Sequence, residues 1–322
     1  MAWTVADIPG GVGLDGGVRT ALVTGATRGL GLHVAEALAR SGMRVVLAGR
    51  DRVAGEAAAA AIRARHTGVG RDGAATSFLV LDLGSLADIA SFASGMSAQH
   101  PTLDLLVNNA GVMAIPTRHA TTDGFERQLG VNYLGHFALT ARLLPLLRRG
   151  RGPRVVSVAS LAHLRGRINF ADLQAERGYW PWVAYQQSKL AMLMFGRELQ
   201  RRSAAAGWGV ASLAAHPGIA RTELFESGPG MGRRGGRSME GTLMRLAGPL
   251  FAQSAERGAL PILYAATAPD AEPGGYYGPD GFREMKGDPA PARVSANAAD
   301  PAAAARLWEE SERLCGVRFG AA

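Results

Sequence analysis

The chain has 322 residues, 47% of them hydrophobic, enough to bury one large core, so a single domain carrying a tail is expected rather than two domains. A lone cysteine, Cys315, excludes an intramolecular disulfide, and among seven histidines the nearest two in sequence, His119 and His136, lie 17 positions apart, so no metal-ligand spacing stands out and no metal is expected. The net charge of +8 is carried almost wholly by arginine and clusters at Arg148, Arg149, Arg151 and Arg154 and at Arg233, Arg234 and Arg237; with no nucleic-acid motif beside them these read as a solvated basic surface, without a nucleic-acid partner, that suits an anionic small ligand.

Residues 1–17 have neither the basic start nor the apolar block of a secretory signal and read as an N-terminal extension. Strand and helix patterns then alternate without a linker from residue 20 to about 278. Strands are predicted at about 20–24, 44–48, 76–81, 103–107, 153–158, 210–215 and 275–278, and helices at about 29–41, 52–65, 85–98, 122–148, 182–206 and 254–267. Such alternation predicts an α/β doubly wound parallel sheet with helices on both faces. Residues 281–322 form a tail of the same domain, ending in an amphipathic helix through Leu307, Trp308 and Leu314 that caps the core or a subunit contact. No stretch of about 20 strongly apolar residues occurs, so no membrane span is expected and the cytoplasm is the expected location.

The first strand, Thr20 to Thr24, enters Gly25-Ala26-Thr27-Arg28-Gly29-Leu30-Gly31 and then an amphipathic stretch to Arg40. In a strand, glycine turn and helix of this kind, Gly25 makes the sharp exit, Gly29 lets the backbone approach a pyrophosphate and Gly31 allows close helix packing, while the helix N-terminus offers N–H groups to phosphate. A dinucleotide is the natural ligand. Further along, Lys189, one of only two lysines, stands four residues after Tyr185. That spacing puts an ammonium on the same helix face as a phenol, where it would pull the Tyr pKa down from about 10 and fit it for acid–base work near neutral pH.

Together with Asn108-Asn109-Ala110-Gly111 after an apolar strand, Asn132 in Val131-Asn132-Tyr133, Ser160 closing the strand that begins at Arg154, and His216-Pro217-Gly218 with Thr222, these residues resemble the short-chain dehydrogenase/reductase family over roughly residues 18 to 280. The resemblance implies a Rossmann sheet of about seven strands in the order 3-2-1-4-5-6-7. It also implies a catalytic set of Asn132, Ser160, Tyr185 and Lys189. Tyr185 would give or take the proton at the substrate oxygen and Ser160 would polarise it. Lys189 would lower the Tyr pKa and hold the nicotinamide ribose, and Asn132 would hold the water of a proton relay. Ser157 is a rival serine but sits within the strand, where it faces packing. Cofactor contacts would come from Gly25, Thr27, Arg28, Gly29, Leu30 and Gly31, from Asp82 and Leu83 at the adenine, and from Asn109, Ala110 and Gly111. Tyr185 and Lys189 add the ribose contacts, and Pro217, Gly218, Ile219 and Thr222 flank the nicotinamide. Family members are commonly dimers or tetramers through the helices at 122–148 and 182–206; here the C-terminal tail could block that surface, and a monomer stays open.

Where NAD-preferring members place an acidic residue after the second strand, this chain has Arg50, and Arg28 can approach the same point, so NADP(H) is favoured over NAD(H). Asp51 could serve ribose hydroxyls but reads better as the cap of the next helix, as Asp82 could also cap. Two segments interrupt the alternation: 161–182, with Tyr179-Trp180-Pro181-Trp182 near its end, and 219–248, rich in Gly and Arg. Both start at carboxyl ends of strands and read as the substrate mouth, although each aromatic could equally pack the loop on its own domain. An insertion before the Tyr resembles retinol dehydrogenases, carbonyl-reducing members and protochlorophyllide reductases. The expected reaction is hydride transfer between nicotinamide and the carbonyl or secondary alcohol of an apolar, fairly bulky small molecule; C=C reduction and a non-catalytic NADP sensor are the alternatives. No Gly-x-Ser-x-Gly elbow supports a hydrolase.

Overall fold

The structure, a computed structural model, describes residues 3–11, 17–66, 76–220 and 253–320. Among the described residues, short apolar runs bounded by glycine or polar residues form eight strands: β1 (Thr20–Thr24), β2 (Arg44–Gly49), β3 (Ser77–Val80), β4 (Leu105–Asn108), β5 (Arg154–Val158), β6 (Ala211–Ala215), β7 (Tyr276–Pro279) and β8 (Pro289–Pro291). They make one sheet in the order β3-β2-β1-β4-β5-β6-β7-β8. The first seven pair in parallel, with Leu22 opposite Val46 and Leu106, and Val156 opposite Leu213. The expected order is thus met, and β8 is an addition: it pairs antiparallel to β7, Gly278 opposite Ala290, and its two prolines are tolerated because it is the edge strand.

Helices cover both faces, which is why the central strands read as continuous apolar runs rather than alternating ones. On one face α1 (Gly29–Arg40), α2 (Arg52–Arg65) and the helix α7 (Ala255–Thr267) bury Val34, Leu38, Ile62 and Ile262 against Val23, Leu47 and Val107. On the other lie α3 (Leu86–Gln99), α5 (Gly135–Arg148) and α6 (Pro181–Ala206), burying Ile89, Phe137 and Leu193 against Leu22, Leu106 and Val155. The terminal helix α8 (Pro301–Cys315) packs on α5 and α6, with Trp308 buried at ring-centroid distances of 5.0 Å from Phe137 and 4.4 Å from Phe319. Its apolar side thus faces the core. Part of the N-terminal extension also docks, through Ile8 and through Trp3 set edge-on to Tyr264.

One helix departs from expectation. Instead of starting near 122, helical structure begins with a single turn, α4 (Arg127–Leu129), passes through a π-helical turn (Gly130–Leu134) and continues as α5. Residues 121–125 form a hydrogen-bonded turn instead, and the side chain of Glu126 accepts the N–H groups of Gln128 and Leu129, so the cap falls at 126. Among the described residues no helix is long and apolar enough to cross a membrane.

Candidate active site

Between β1 and β4 the strand order reverses direction, which opens a crevice at the carboxyl ends of the strands. There the chain leaves β1 through Gly25 (φ 65°), whose N–H bonds Ala48 O at 2.7 Å, so the turn is docked on the end of β2. A Cβ at Gly31 would run into the Gly25 carbonyl and the Asn109 amide, so only glycine lets α1 start this close to the sheet. Asp51, Ser85 and Ser254 cap α2, α3 and α7 with their side chains, whereas Arg28 makes no side-chain cap at α1. The first-turn N–H groups of α1 therefore lack the side-chain acceptor that those helices have, which fits the pyrophosphate of a dinucleotide. Thr27 lies in this turn, and Leu30, on the first turn of α1, packs towards Gly258 of α7.

Arg50 follows β2 directly and is exposed, and Arg28, also exposed, stands before α1 in the turn that follows the adjacent β1. Asp51 is spent on its helix: Oδ1 accepts from Ala54 N at 3.0 Å. Asp82 uses one oxygen in a turn to Gly84 N at 2.8 Å, and Ser85 rather than Asp82 caps α3. Leu83 is buried beneath that turn. Asn109 is spent on the backbone, its Nδ2 donating to Thr24 O at 2.8 Å, and the Thr24 hydroxyl in turn accepts from Asn109 N and Ala110 N at 2.9 and 3.0 Å. This bolts the turn carrying Ala110 and Gly111 to the end of β1.

The four expected catalytic residues converge. Ser160 stands two residues past β5 and caps the short turn Leu161–Arg165, its Oγ accepting from Ala162 N at 3.2 Å, and its side chain lies on the Tyr185 phenol closely enough to lower its pKa. Tyr185 and Lys189 sit one turn apart on α6, both buried. Lys189 Nζ donates to Val158 O at 2.9 Å and lies 6.0 Å from the Tyr185 ring centre. Gly111 closes the far side, where a Cβ would stand 3.2 Å from Asn132 Oδ1 and 3.6 Å from Lys189 Nζ. The expected depression of the Tyr185 pKa by Lys189 is not what this geometry produces. Burial pushes the phenol up to about 12, only partly opposed by the Ser160 hydrogen bond, and burial brings Lys189 down to about 8. Ser157, the rival, is fully buried inside β5, its Cβ facing Gly196 of α6.

Asn132 lies in the π-helical turn. Its amide is consumed: Nδ2 donates to Val112 O and Ser188 Oγ, both at 2.9 Å, while Oδ1 accepts from Val112 N at 2.7 Å. Only its main-chain carbonyl is available to a relay, and that oxygen already accepts from His136 Nδ1 at 3.0 Å. His136, which the sequence raised only in connection with metal-ligand spacing, is completely buried and reaches the Thr24 hydroxyl with Nε2 at 2.9 Å, so one imidazole joins Asn132 to the glycine turn after β1. Pro217, Gly218 (φ 64°) and Ile219 follow β6. They are held by the chain's later part: Ile219 N donates to Met285 O at 2.8 Å, Gln253 Nε2 to Pro217 O at 2.8 Å, and His216 pairs with Glu284 at 3.2 Å. Thr222 and most of the segment 219–248 lie outside the described residues.

The aromatics of segment 161–182 divide by role. Trp182 stands edge-on to Tyr185 at 6.0 Å, and Met113, Ala114 and Ala162 also pack on Tyr185, whereas Tyr179 is tied inward to Ile115 O at 2.7 Å. Trp180 is exposed. Among the described residues no group of three or more His, Cys, Asp or Glu side chains could hold a metal ion.

Comparison with known proteins places this arrangement. A family model described as short chain dehydrogenase matches residues 19–229. A polyprenol dehydrogenase of Mus musculus is 45% identical over 306 residues, covering 94% of this chain and 85% of that protein. A retinol dehydrogenase 13 of Homo sapiens is 42% identical, covering 93% and 85%. A crystal structure of an uncharacterised protein from Mycobacterium paratuberculosis superposes with a TM-score of 0.78 at 40% identity, covering 100% of both chains. An RhlG/NADP active-site complex from Pseudomonas aeruginosa gives 0.60 at 26% identity, covering 80% of this chain and 93% of that one.

Proposed function

The chain belongs to the short-chain dehydrogenase family, and from that premise we propose that it is an NADP(H)-preferring enzyme acting on an apolar alcohol and its carbonyl. That it is an NAD(P)-dependent oxidoreductase of alcohols and carbonyls follows from the family and from its dehydrogenase relatives. The nicotinamide, when bound, supplies or takes the hydride at the substrate carbon. The protein must then manage the oxygen. A phenol held at about 12 is protonated at neutral pH, so Tyr185 offers its proton to a carbonyl oxygen while the neighbouring Ser160 hydroxyl polarises that oxygen. As the proton leaves, phenolate forms within reach of the buried Lys189 ammonium, which stabilises it. In the oxidation direction the same phenolate is the base. Asn132 holds the Val112 backbone and Ser188 fixed beside this pair.

The observation that carries the NADP reading is Arg28 in the turn after β1 and Arg50 directly after the neighbouring β2, with the carboxylate that follows Arg50, Asp51, engaged in capping α2. Two guanidiniums suit a 2′-phosphate and not a bare ribose hydroxyl. The apolar substrate reading is supported by Met113, Ala114 and Trp182 around Tyr185, and agrees with relatives named for polyprenol and retinol. NADPH should exceed NADH in kcat/KM by at least about tenfold, the worth of one charge-assisted hydrogen bond, and Arg50→Asp should erase or reverse that ratio. Equal use of both cofactors by the unaltered enzyme would sink the preference.

A further inference from the structure

The wall that faces Tyr185 is built on a strained residue. Ala114 has φ 48°, the left-handed region that carries a steric cost for an alanine, and it is buried with Met113 against Tyr185. A conformation of that cost persists only where its surroundings impose it. The side chain that does so is Gln128, on α4: its Oε1 accepts from Ala114 N at 2.7 Å. Its Nε2 donates to Tyr179 OH and to Pro181 O, each at 2.9 Å, and the Tyr179 hydroxyl donates in turn to Ile115 O at 2.7 Å. Gln128 is completely buried, and no other orientation of its amide works, because a flip would set NH2 against the Ala114 N–H. Glu126 fixes Gln128 from behind by accepting its backbone N–H at 2.8 Å. One amide thus joins the exit from β4, the end of the 161–182 segment and the first turn of α6, which carries Trp182 and Tyr185.

We propose that Gln128 is a positioning residue that sets the substrate-side wall, holding Ala114 in its left-handed conformation against Tyr185 and thereby selecting for bulky apolar carbonyls over small ones. The selectivity half rests on the oxidoreductase reading above; the conformational half does not. Gln128→Met keeps the volume and removes all three hydrogen bonds. Ala114 then relaxes, the wall shifts, and only a substrate large enough to lean on it is affected.

With acetonaphthone and propanal as probes, Gln128→Met should raise KM for acetonaphthone about tenfold, while KM for propanal and the Kd of NADPH stay within about twofold. Hydrogen exchange at the Ala114 amide should accelerate. Adding Ala114→Gly should bring the acetonaphthone KM back to within about threefold of the unaltered enzyme, because glycine adopts the left-handed conformation without an anchor. If Gln128→Met does not fold, Tyr179→Phe, which deletes one hydroxyl of the network, should shift selectivity in the same direction by a smaller factor. Failure of Ala114→Gly to restore KM, unchanged exchange at Ala114, or unchanged selectivity in a folded Tyr179→Phe overturns the proposal. Faster Ala114 exchange in an enzyme that reduces neither probe supports the positioning and counts against the oxidoreductase reading instead.

Discussion

Replacing His136 by Gln gives a stability change whose sign and size follow from its surroundings. The imidazole is wholly buried between Asn132 O and the Thr24 hydroxyl. A carbonyl oxygen can only accept, so the ring proton is on Nδ1 and Nε2 accepts from Thr24. Thr24 Oγ1 already accepts two backbone N–H groups, and a proton on Nε2 would have no lone pair to meet. Burial, aided by the nearby Lys189 charge and opposed by the bond to Asn132, brings the pKa from 6.5 down to about 4. Refusing the proton over the range from 6.5 to about 4 corresponds to about 3 kcal/mol. Between these two pH values the unfolded chain binds a proton that the folded chain refuses, so stability falls as the solution is acidified through the window. Urea unfolding of both proteins from pH 7.5 to 4 should show the natural chain losing about 3 kcal/mol more than His136→Gln. Parallel stability curves would refute the buried, neutral imidazole.

Lys189 supplies the alkaline counterpart. Its folded pKa of about 8 lies below the usual 10.5, so from pH 8 to 10 the unfolded chain is protonated where the folded one is not, and stability should rise with pH by about 2 to 3 kcal/mol relative to Lys189→Met in unfolding titrations. An identical slope in the variant would show that the ammonium is not desolvated. Asp51→Ala should cost about 1 kcal/mol of stability through loss of the α2 cap, measured by thermal or urea unfolding, and leave the NADPH-to-NADH ratio within about twofold. A collapse of that ratio would make Asp51 a cofactor ligand.

Elements that announce themselves by local pattern were legible in the sequence: the first seven strands, the glycine turn at Gly25–Gly31 and the Tyr185–Lys189 spacing all stand where their residues implied. Strand β8 was not, because Pro289-Ala290-Pro291 has no strand propensity and is held only by pairing with β7. The start at 127 rather than 122 was hidden because the deciding cap is a glutamate, a residue common inside helices. Gln128 and His136 escaped notice for a different reason. Each serves partners far away in sequence, Thr24 lying 112 positions from His136, and nothing in a helical pattern marks a polar residue as buried. The direction of the Tyr185 pKa is hidden for the same cause: spacing reveals the neighbouring ammonium but not the burial that dominates the shift.

The most direct measurement follows label through the reaction. With NADPH deuterated at its transferable position and acetonaphthone as acceptor, the enzyme should place deuterium on the product carbinol carbon, and Tyr185→Phe should bind NADPH with unchanged fluorescence quenching while labelled product falls by at least about 100-fold. Turnover by Tyr185→Phe within about tenfold of the natural enzyme would contradict the role given to Tyr185, and with it the account of the site.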